Sequence, residues 1–544
     1  MKQIFKNRIF IISIIVILFS SCGSKKHIRD YNYLSTSNFY NDSINLSAKF
    51  YADIKYPDLS RREIKKKFKR FKKLNSHDFL IYGYAPKEYE MALFYTKDSF
   101  ATTDSTSLIL NDSLNQQVIY RRQFQDQLVY LYLKALEDFN SHQTLIYDGG
   151  EIINSINFNQ TVREQLTYWD IFNDYQYRDN ILFIRKKIEN APIEKSKQSD
   201  WDKFQIMTTI LSREPSYKAF VDAVKTQDKA KIEYLDKFIS EAKADSLMLS
   251  VSKAEVLENI KVLAANEKLL MLNERHWLPK HRIFATHLLQ PLKEVGYKYL
   301  AVEAVDILKD SILNSVGFPL HSTGYYTREP YFGIFLRTAM DLGYTVVGYD
   351  EFTTENRELS QANNILNIFE EDSNAKVFVY AGEDHILEYN PSIKRTAEYI
   401  KELSEIDPLT INQVLLATDS PDELLLFDAK TFPEDTRINN NVDYFLLNNL
   451  NTDLSEIYPK SSLKTIEILL PEFRSIQNEE VFISIYPAEE YQIYKTSAVS
   501  IKNKIWRVEG DGLSIELPIG KYYLHIWDEE DNEIVSKSLI VEGN

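Results

Sequence analysis

Short apolar runs alternate with helical stretches between residues 262 and 420, and no other feature constrains the fold as strongly. The runs are apolar at successive positions, so each predicted strand is buried on both faces. Strands of this kind, separated by helices, predict a parallel α/β sheet that helices cover on both faces. The runs read KLLMLNE, KYLAVEA, YTVVGYD, KVFVYAG and NQVLLATD.

Glycine and proline residues mark the ends of the helices predicted between these runs. Gly296 and Gly343 stand where helix C-caps belong, because glycine adopts a left-handed backbone easily. Pro330 and Pro391 stand at predicted helix starts, where the missing N–H group has no helical partner to lose.

The whole chain is predicted to be multidomain, because 544 residues are too many for one hydrophobic core. Short strands between turn residues predict a β-sandwich at the C-terminal end. Near the N-terminal end, RQFQDQLVYLYLKALEDF is predicted to form an amphipathic helix. The expected divisions are 1–21 (signal peptide), 22–45 (tether), 46–260 (mixed α+β, then mainly helical), 262–420 (α/β domain), 421–472 (unclassified connecting segment) and 473–544 (β-sandwich module).

The first residues have the pattern of an export signal. Lys2, Lys6 and Arg8 precede the apolar residues 9–19, a run too short to span a bilayer. Two serines then precede Cys22, the only cysteine, as in the lipobox of a bacterial lipoprotein. A plain signal peptide with a stray cysteine is the alternative.

An acylated Cys22 makes the lipid bilayer the expected partner. No aspartate follows this cysteine, and lipoprotein sorting rules then favour the outer membrane, facing the periplasm. The formal net charge of −15 argues against nucleic acid as a partner. Residues 61–73 form a basic run with Ile64, Phe68 and Phe71 at helical spacing, which predicts either a membrane-surface helix or a helix packed on a neighbour.

Ionisable residues follow four of the five apolar runs. Because ligands bind beyond the carboxyl ends of parallel strands, these residues are predicted to share one edge of the sheet. Histidines and carboxylates together can bind a divalent metal or transfer protons. Ordinary solvent-facing strand ends are the alternative. The residues are Asn273, Glu274 and His276, then Glu303, then Asp350 and Glu351, and finally Gly382, Glu383, Asp384 and His385.

Glu303 is the sharpest single candidate among them. It lies between KYLAV and AV, so its carboxylate is predicted to be partly buried. A buried carboxylate needs a partner, and Arg282 or His276 are the expected ones.

These motifs together resemble a superfamily that contains erythromycin esterase, the haem-binding lipoprotein ChaN and the TraB/Tiki proteins. The resemblance covers roughly residues 262–420. Its elements are Asn-Glu-Arg-His from Asn273, a helix with His281 and Arg282, GYKYLAVEA, the stretch 356–363 with Arg357, and VYAGEDHILE.

The resemblance implies a hydrolase-like site for an unidentified small molecule or peptide. Glu274, His276, Glu303 and His385 would be its catalytic residues, with His281, Arg282 and Arg357 as secondary candidates. In an esterase-like mechanism, His276 or His385 would activate water as a general base. In a Tiki-like mechanism, His276, Glu303 and His385 would hold a divalent metal. Covalent catalysis lacks support, because the sequence has no G-x-S-x-G motif and no second cysteine.

The same resemblance leaves a non-catalytic alternative, namely a haem-binding lipoprotein like ChaN. His276, His281, His385, Tyr325 or Tyr326 would then be the axial ligand. The aromatic segment 321–332 would cover the same sheet edge, either as a lid or as ordinary surface. Asn273 departs from the family pattern, which has glycine at that position.

Overall fold

A computed structural model provides the structure of the chain. It describes residues 33–34, 38–41, 46–49, 66–69, 78–85, 89–97, 105–124, 127–135, 142–156, 167–175, 178–191, 193, 196–244, 248–351, 354–418, 420–431, 441–469, 476, 479–510 and 512–543. The predicted signal peptide and Cys22 lie outside these residues. Among the helices that the structure describes, none is long and apolar enough to cross a membrane.

The described elements mix helices and strands along the whole chain. The strands are β1 Tyr33–Leu34, β2 Asn38–Asn41, β3 Leu46–Lys49, β4 Asp78–Ala85, β5 Tyr89–Lys97, β6 Ser105–Asp112, β7 Gln117–Phe124, β8 Gln127–Ala135, β9 Met248–Ser250, β10 Leu269–Glu274, β11 Tyr299–Asp306, β12 Thr345–Asp350, β13 Val377–Gly382, β14 Leu409–Asn412, β15 Leu424–Asp428, β16 Tyr444–Asn448, β17 Leu463–Leu469, β18 Glu480–Pro487, β19 Lys502–Arg507, β20 Gly512–Pro518, β21 Gly520–Trp527 and β22 Glu533–Val541. The α-helices are α1 His142–Ser155, α2 Tyr168–Tyr175, α3 Ile181–Glu189, α4 Lys197–Leu211, α5 Lys218–Ala244, α6 Lys253–Ala264, α7 Lys280–Glu294, α8 Asp310–Val316, α9 Pro330–Asp341, α10 Arg357–Glu371, α11 Thr396–Leu403 and α12 Ala488–Tyr494.

The chain divides into two compact units. The first comprises Met1–Glu164 with Asn173–Tyr177, and the second comprises Gln165–Phe172 with Arg178–Asn544. The first unit contains an antiparallel sheet of order β4-β5-β8-β7-β6 and a three-stranded sheet of β1, β2 and β3. The second unit contains the remaining sheets and the predicted site.

The predicted helix RQFQDQLVYLYLKALEDF is wrong, because its described part belongs to two strands. Strand β8 (QLVYLYLKA) lies between β5 and β7, and most of its side chains are buried on both faces. Its alternating tyrosines and branched residues fit the two buried faces of a central strand, and tertiary packing outweighed the helical spacing.

Phe68 bears on the two interpretations of the basic run. Its ring is 2% exposed and packs edge-on against Tyr82, Phe94 and Tyr132, at centroid distances of 5.0–6.1 Å. The buried ring supports the interpretation of a helix packed on a neighbour. The flanking Lys66, Lys67 and Lys69 are exposed to solvent.

The central sheet of the second unit has eight strands in the order β12-β11-β13-β10-β14-β16-β15-β9. The six strands from β12 to β16 in this order are parallel. The last two, β15 and β9, run antiparallel to their neighbours. The predicted α/β region is therefore present as a mixed sheet, with six parallel strands from the β12 edge onward and β15 and β9 at the opposite edge.

This sheet continues past residue 420. Strands β15 and β16 come from the segment that the sequence left unclassified, and both are almost wholly buried. The prediction of a strand over NQVLLATD is wrong, because this stretch begins at Asn412, the last residue of strand β14. The Asn412 side chain accepts hydrogen bonds from the N–H groups of Val414 and Leu415, which turns the chain out of the sheet.

The C-terminal strands form antiparallel sheets, β19-β18-β21-β22 and β17-β20. Alternate residues of β18 and β20 are buried in one hydrophobic cluster with residues of β10 and β11, so the C-terminal strands share a core with the central sheet. The predicted helix ends are partly confirmed. Gly296 and Gly343 have φ of +97° and +75°, and Pro330 begins α9. Pro391 does not begin a helix, since α11 starts at Thr396.

Candidate functional site

The carboxyl ends of β11, β13 and β10 lie side by side in the central sheet. Glu274, the last residue of β10, is in register with Gly382, the last residue of β13. Val302 of β11 is in register with Tyr380 of β13, so Glu303 reaches the same edge. The structure therefore brings Glu274, His276, Glu303 and His385 together, although they are far apart in sequence.

Glu274 is buried and fully paired. It accepts hydrogen bonds from Arg282 Nε and from the Tyr380 hydroxyl, both at 2.9 Å, and its Oε1 lies 2.8 Å from His276 Nδ1. Burial opposes the charged form, but Arg282 and His276 outweigh it and hold the pKa of Glu274 below its ordinary value. Arg282 is completely buried and also bonds Glu329 at 3.1 Å.

Glu303 is buried between three donors. Its carboxylate accepts from the Gly382 N–H group and from Arg357 Nη2 at 2.6 Å, and it lies 3.3 Å from His385 Nε2. Burial opposes ionisation, yet His385, His276 and Arg357 hold the pKa of Glu303 well below its ordinary value. The prediction that Arg282 pairs with Glu303 is wrong, because the guanidinium of Arg282 donates hydrogen bonds to Glu274 and Glu329 instead.

His385 is held between two carboxylates. Its Nε2 faces Glu303, and its Nδ1 lies 2.9 Å from Glu358 Oε2. Burial alone lowers the pKa of His385, but Glu303 and Glu358 outweigh burial and raise the pKa to about 10. Both ring nitrogens therefore carry protons at neutral pH, and His385 is a fixed positive charge.

Glu358 and Asp350 anchor the cationic side chains. Burial opposes the charge of Glu358, but His385, Arg395 and Thr396 lower its pKa to about 2. Asp350 accepts two bonds from Arg357, at 2.6 and 2.8 Å, and its Oδ1 also accepts a bond from Gln361 at 2.7 Å. These contacts fix the positions of Arg357 and His385, the two cationic side chains that face Glu303.

His276 is the most accessible of the four predicted side chains. Its side chain is 26% exposed, against 2% for Glu274, 5% for Glu303 and 11% for His385. Burial opposes its charged form, but Glu274 and Glu303 raise the pKa of His276 above its ordinary value. The Tyr326 ring stacks on the imidazole at 4.1 Å, which places the predicted aromatic segment at the site.

Gly382 provides the space in which His276 and Glu303 face each other. A Cβ at this position would lie 2.9 Å from Glu303 Oε2 and 3.0 Å from His276 Nε2. A side chain here would clash with Glu303 and crowd His276, so glycine at residue 382 allows both groups to keep their observed positions.

His281 and Asn273 hydrogen-bond backbone groups next to the site. His281 is buried, and its Nδ1 accepts a hydrogen bond from the Arg275 N–H group at 2.9 Å. Asn273 donates to the Glu383 carbonyl at 2.7 Å and accepts from the Gln413 N–H group at 2.9 Å. Asn273 lies in a regular strand and has no positive φ, so this position does not need glycine for its backbone.

The predicted metal ligands do not fit a metal centre well. A metal needs a free imidazole nitrogen, whereas both ring nitrogens of His385 face carboxylates at 3.3 and 2.9 Å. Glu303 is already paired with Arg357 and His385. Within the described ranges, no group of three or more His, Cys, Asp or Glu side chains is arranged to hold a metal ion.

Sequence reasoning missed several residues of this network, among them Glu329, Glu358, Gln361 and Tyr380. Glu329 precedes Pro330 at the start of α9, a helix-capping signal that could have drawn attention to it. Glu358 directly follows Arg357 in the first turn of α10, and Gln361 lies one turn further on. Tyr380 gave no signal, because it lies within an apolar strand.

No family model matches this chain, and no curated protein matches it. Several solved structures are weakly similar. The type III effector HopBA1 is 13% identical, over 36% of this chain and 94% of its own, with a TM-score of 0.25. RRSP, a MARTX toxin effector domain from Vibrio vulnificus CMCP6, is 16% identical over 40% of this chain and 46% of its own, at 0.22. The C-terminal region of Pasteurella multocida toxin is 11% identical over 55% of this chain and 41% of the toxin chain, at 0.24. At such low TM-scores, these similarities carry no argument about this chain.

Proposed function

We propose that the second unit carries a hydrolase-like acid–base site made of Glu274, His276, Glu303 and His385. The observation that carries this proposal is the close approach of His276 Nε2 and the charged Glu303 Oε2 to Gly382 at the sheet edge. His276 is also the most accessible of the four side chains, so a substrate can reach it.

His276 is the proposed proton-transfer residue. Its Nδ1 is held by Glu274, which fixes the ring and leaves Nε2 directed at the reacting atoms, as a carboxylate does for the histidine of a catalytic triad. Nε2 would take a proton from an attacking water and deliver it to the leaving group. His385 and Arg357 hold Glu303 charged, and Glu303 in turn stabilises the imidazolium that His276 becomes.

Turnover should have a bell-shaped dependence on pH. The neutral form of His276 is the base, and its pKa is raised, so the rate should rise as pH increases through a value above 6.5. The rate should fall again near pH 10, where His385 loses its proton and Glu303 loses a partner. The measurement is kcat/KM of the full chain on a panel of chromogenic esters and amides. No turnover on any member, or turnover independent of pH between 6 and 8, overturns the proposal.

Haem binding has less support at this site. A haem pocket is mostly apolar, whereas the surroundings of His276 are carboxylates and cations. Burial raises the pKa of Tyr326, which disfavours the phenolate that would ligate iron. Membership in the superfamily of erythromycin esterase, ChaN and the TraB/Tiki proteins remains part of the proposal and rests on the motifs at the sheet edge.

We also propose that the chain is an outer-membrane lipoprotein facing the periplasm, held by acyl chains on Cys22. The support is the charged and then apolar N-terminal sequence before the only cysteine. In this view, the C-terminal antiparallel sheets form a β-sandwich that braces the α/β sheet through their shared core.

Replacing Cys22 with serine should release the protein from membranes or leave it unprocessed. Several acyl chains anchor a protein stably, at about 0.8 kcal/mol per buried CH₂, and serine cannot accept the thioether-linked lipid. The measurement is membrane fractionation and the mass of the mature N-terminus, with Ser21→Ala as the matched control. Normal processing and membrane retention of Cys22→Ser would contradict the lipoprotein proposal.

A further inference from the structure

The aromatic segment 321–332 is bound tightly to the end of strand β11. The Asp306 N–H group donates a hydrogen bond to the Thr323 carbonyl at 2.8 Å, which ties the segment to the strand. Gly324 lies so close to β11 that a Cβ at this position would overlap the Ala304 carbonyl oxygen. The absence of a side chain at residue 324 therefore allows the backbone of the segment to lie directly on the sheet edge.

The turn that follows fixes the position of Tyr326, which begins a short 3₁₀ helix. Thr327 Oγ1 donates to the Gly324 carbonyl at 2.9 Å. Arg328 donates twice to the His321 carbonyl, at 3.0 and 2.9 Å. Both Thr327 and Arg328 are buried. Because these contacts close the segment on itself, the Tyr326 ring is a fixed part of the site.

The Tyr326 ring lies on one face of the His276 imidazole. The two ring centres are 4.1 Å apart, and the ring planes differ by 15°. The phenol hydroxyl lies in the plane of its own ring, so it is beside the imidazole and leaves the ring nitrogens of His276 uncovered. Burial raises the pKa of Tyr326, and Tyr325 and Glu303 raise it further, so the hydroxyl keeps its proton at neutral pH.

The Tyr326 hydroxyl is a hydrogen-bond donor that the site does not use. Its side chain is partly exposed, and no group in the described part of the chain accepts a hydrogen bond from it. The other donors of the site are already engaged. The Tyr380 hydroxyl bonds Glu274 at 2.9 Å, Arg282 is paired with the same carboxylate, and His385 lies between two carboxylates.

We propose that the Tyr326 hydroxyl donates a hydrogen bond to the carbonyl oxygen of the substrate while water attacks the carbonyl carbon. As His276 takes a proton from the water, the new C–O bond forms, and the π electrons of the C=O bond move to the carbonyl oxygen. A hydrogen bond to this oxygen strengthens as the negative charge develops, which lowers the barrier. The tetrahedral intermediate then expels the leaving group, which takes the proton back from His276. This inference rests on the proposed hydrolase function and adds Tyr326 to its catalytic residues.

Tyr326→Phe keeps an aromatic ring on His276 and removes only the donor. On the p-nitrophenyl ester that the wild-type protein hydrolyses fastest, this variant should lose about 10²- to 10³-fold in kcat. KM should change much less, because the hydrogen bond gains its strength in the transition state. Tyr389→Phe is the matched control, since it removes the same hydroxyl from a ring that is 56% exposed, and its kcat should stay within a few fold of the wild type.

The alkylphosphonate that corresponds to the same ester provides a second measurement. Its tetrahedral anionic oxygens resemble the intermediate, so Tyr326→Phe should bind it more weakly by about the factor lost from kcat/KM. If the wild-type protein hydrolyses no ester, the proposed function fails, and this inference fails with it. If the wild type is active, and Tyr326→Phe is as active as Tyr389→Phe or binds the phosphonate as tightly as the wild type, this inference alone is overturned.

Discussion

Replacing His276 with glutamine is expected to lower kcat/KM by about 10²- to 10⁴-fold, the usual contribution of a general acid–base group. Glutamine can still bond Glu274, so the network around Arg282 keeps its partners. It cannot carry a proton to and from the reacting atoms. The loss should therefore appear in turnover, on whichever member of the ester and amide panel is the best substrate, and the Tm should change little.

Asp384→Asn is the matched control for this variant. Asp384 belongs to the same strand end, but its side chain is 56% exposed and forms an ion pair with Arg395 at 3.1 Å. Removing its charge should leave kcat/KM within a few fold of the wild type. A His276→Gln protein as active as the control would remove His276 from the mechanism.

Replacing His385 with glutamine should destabilise the second unit by about 3 to 5 kcal/mol near pH 6. His385 is the shared cation of two buried carboxylates, at 3.3 Å from Glu303 and 2.9 Å from Glu358. Without it, both carboxylates remain buried with one cationic partner fewer. Denaturant unfolding followed by circular dichroism measures this loss.

The same variant should show a weaker dependence of stability on pH. The pKa of His385 rises on folding from 6.5 to about 10, so its contribution is complete below pH 6.5 and disappears as pH rises toward 10. His385→Gln should therefore lose less stability than the wild type across that interval. His287→Gln is the control, because burial lowers the pKa of His287 to about 4 and the ring stays neutral throughout. Identical slopes for wild type and His385→Gln would contradict the assigned charge.

The sequence allowed the four candidate residues to be found because each follows an apolar strand that ends at one edge of a parallel sheet. Glu274, Glu303 and Gly382 show the rule directly, since strand register alone aligns them. The alternation of runs also located four of the parallel strands to within one or two residues.

Other features depend on contacts that no local pattern encodes. Tyr380 looks like any apolar strand residue, and only the fold shows that its hydroxyl bonds Glu274. The sequence offers Arg282 or His276 as the partner of Glu303, and only the fold shows that Arg282 faces Glu274 instead. The spacing of apolar residues in strand β8 predicts a helix, because spacing alone does not distinguish a helix from a strand buried on both faces.

In the proposed function, Glu303 and the two histidines form one coupled acid–base site. Its most direct test is a pH titration of the side-chain ¹⁵N shifts of His276 and His385, with histidine labelled selectively in the wild type and in Glu303→Gln. In the wild type both should titrate above 6.5, with His385 at about 10, because Glu303 attracts both rings. In Glu303→Gln both pKa values should fall together. If both histidines titrate near 6.5 in the wild type, or if their pKa values are the same in Glu303→Gln as in the wild type, the three groups do not form a coupled site.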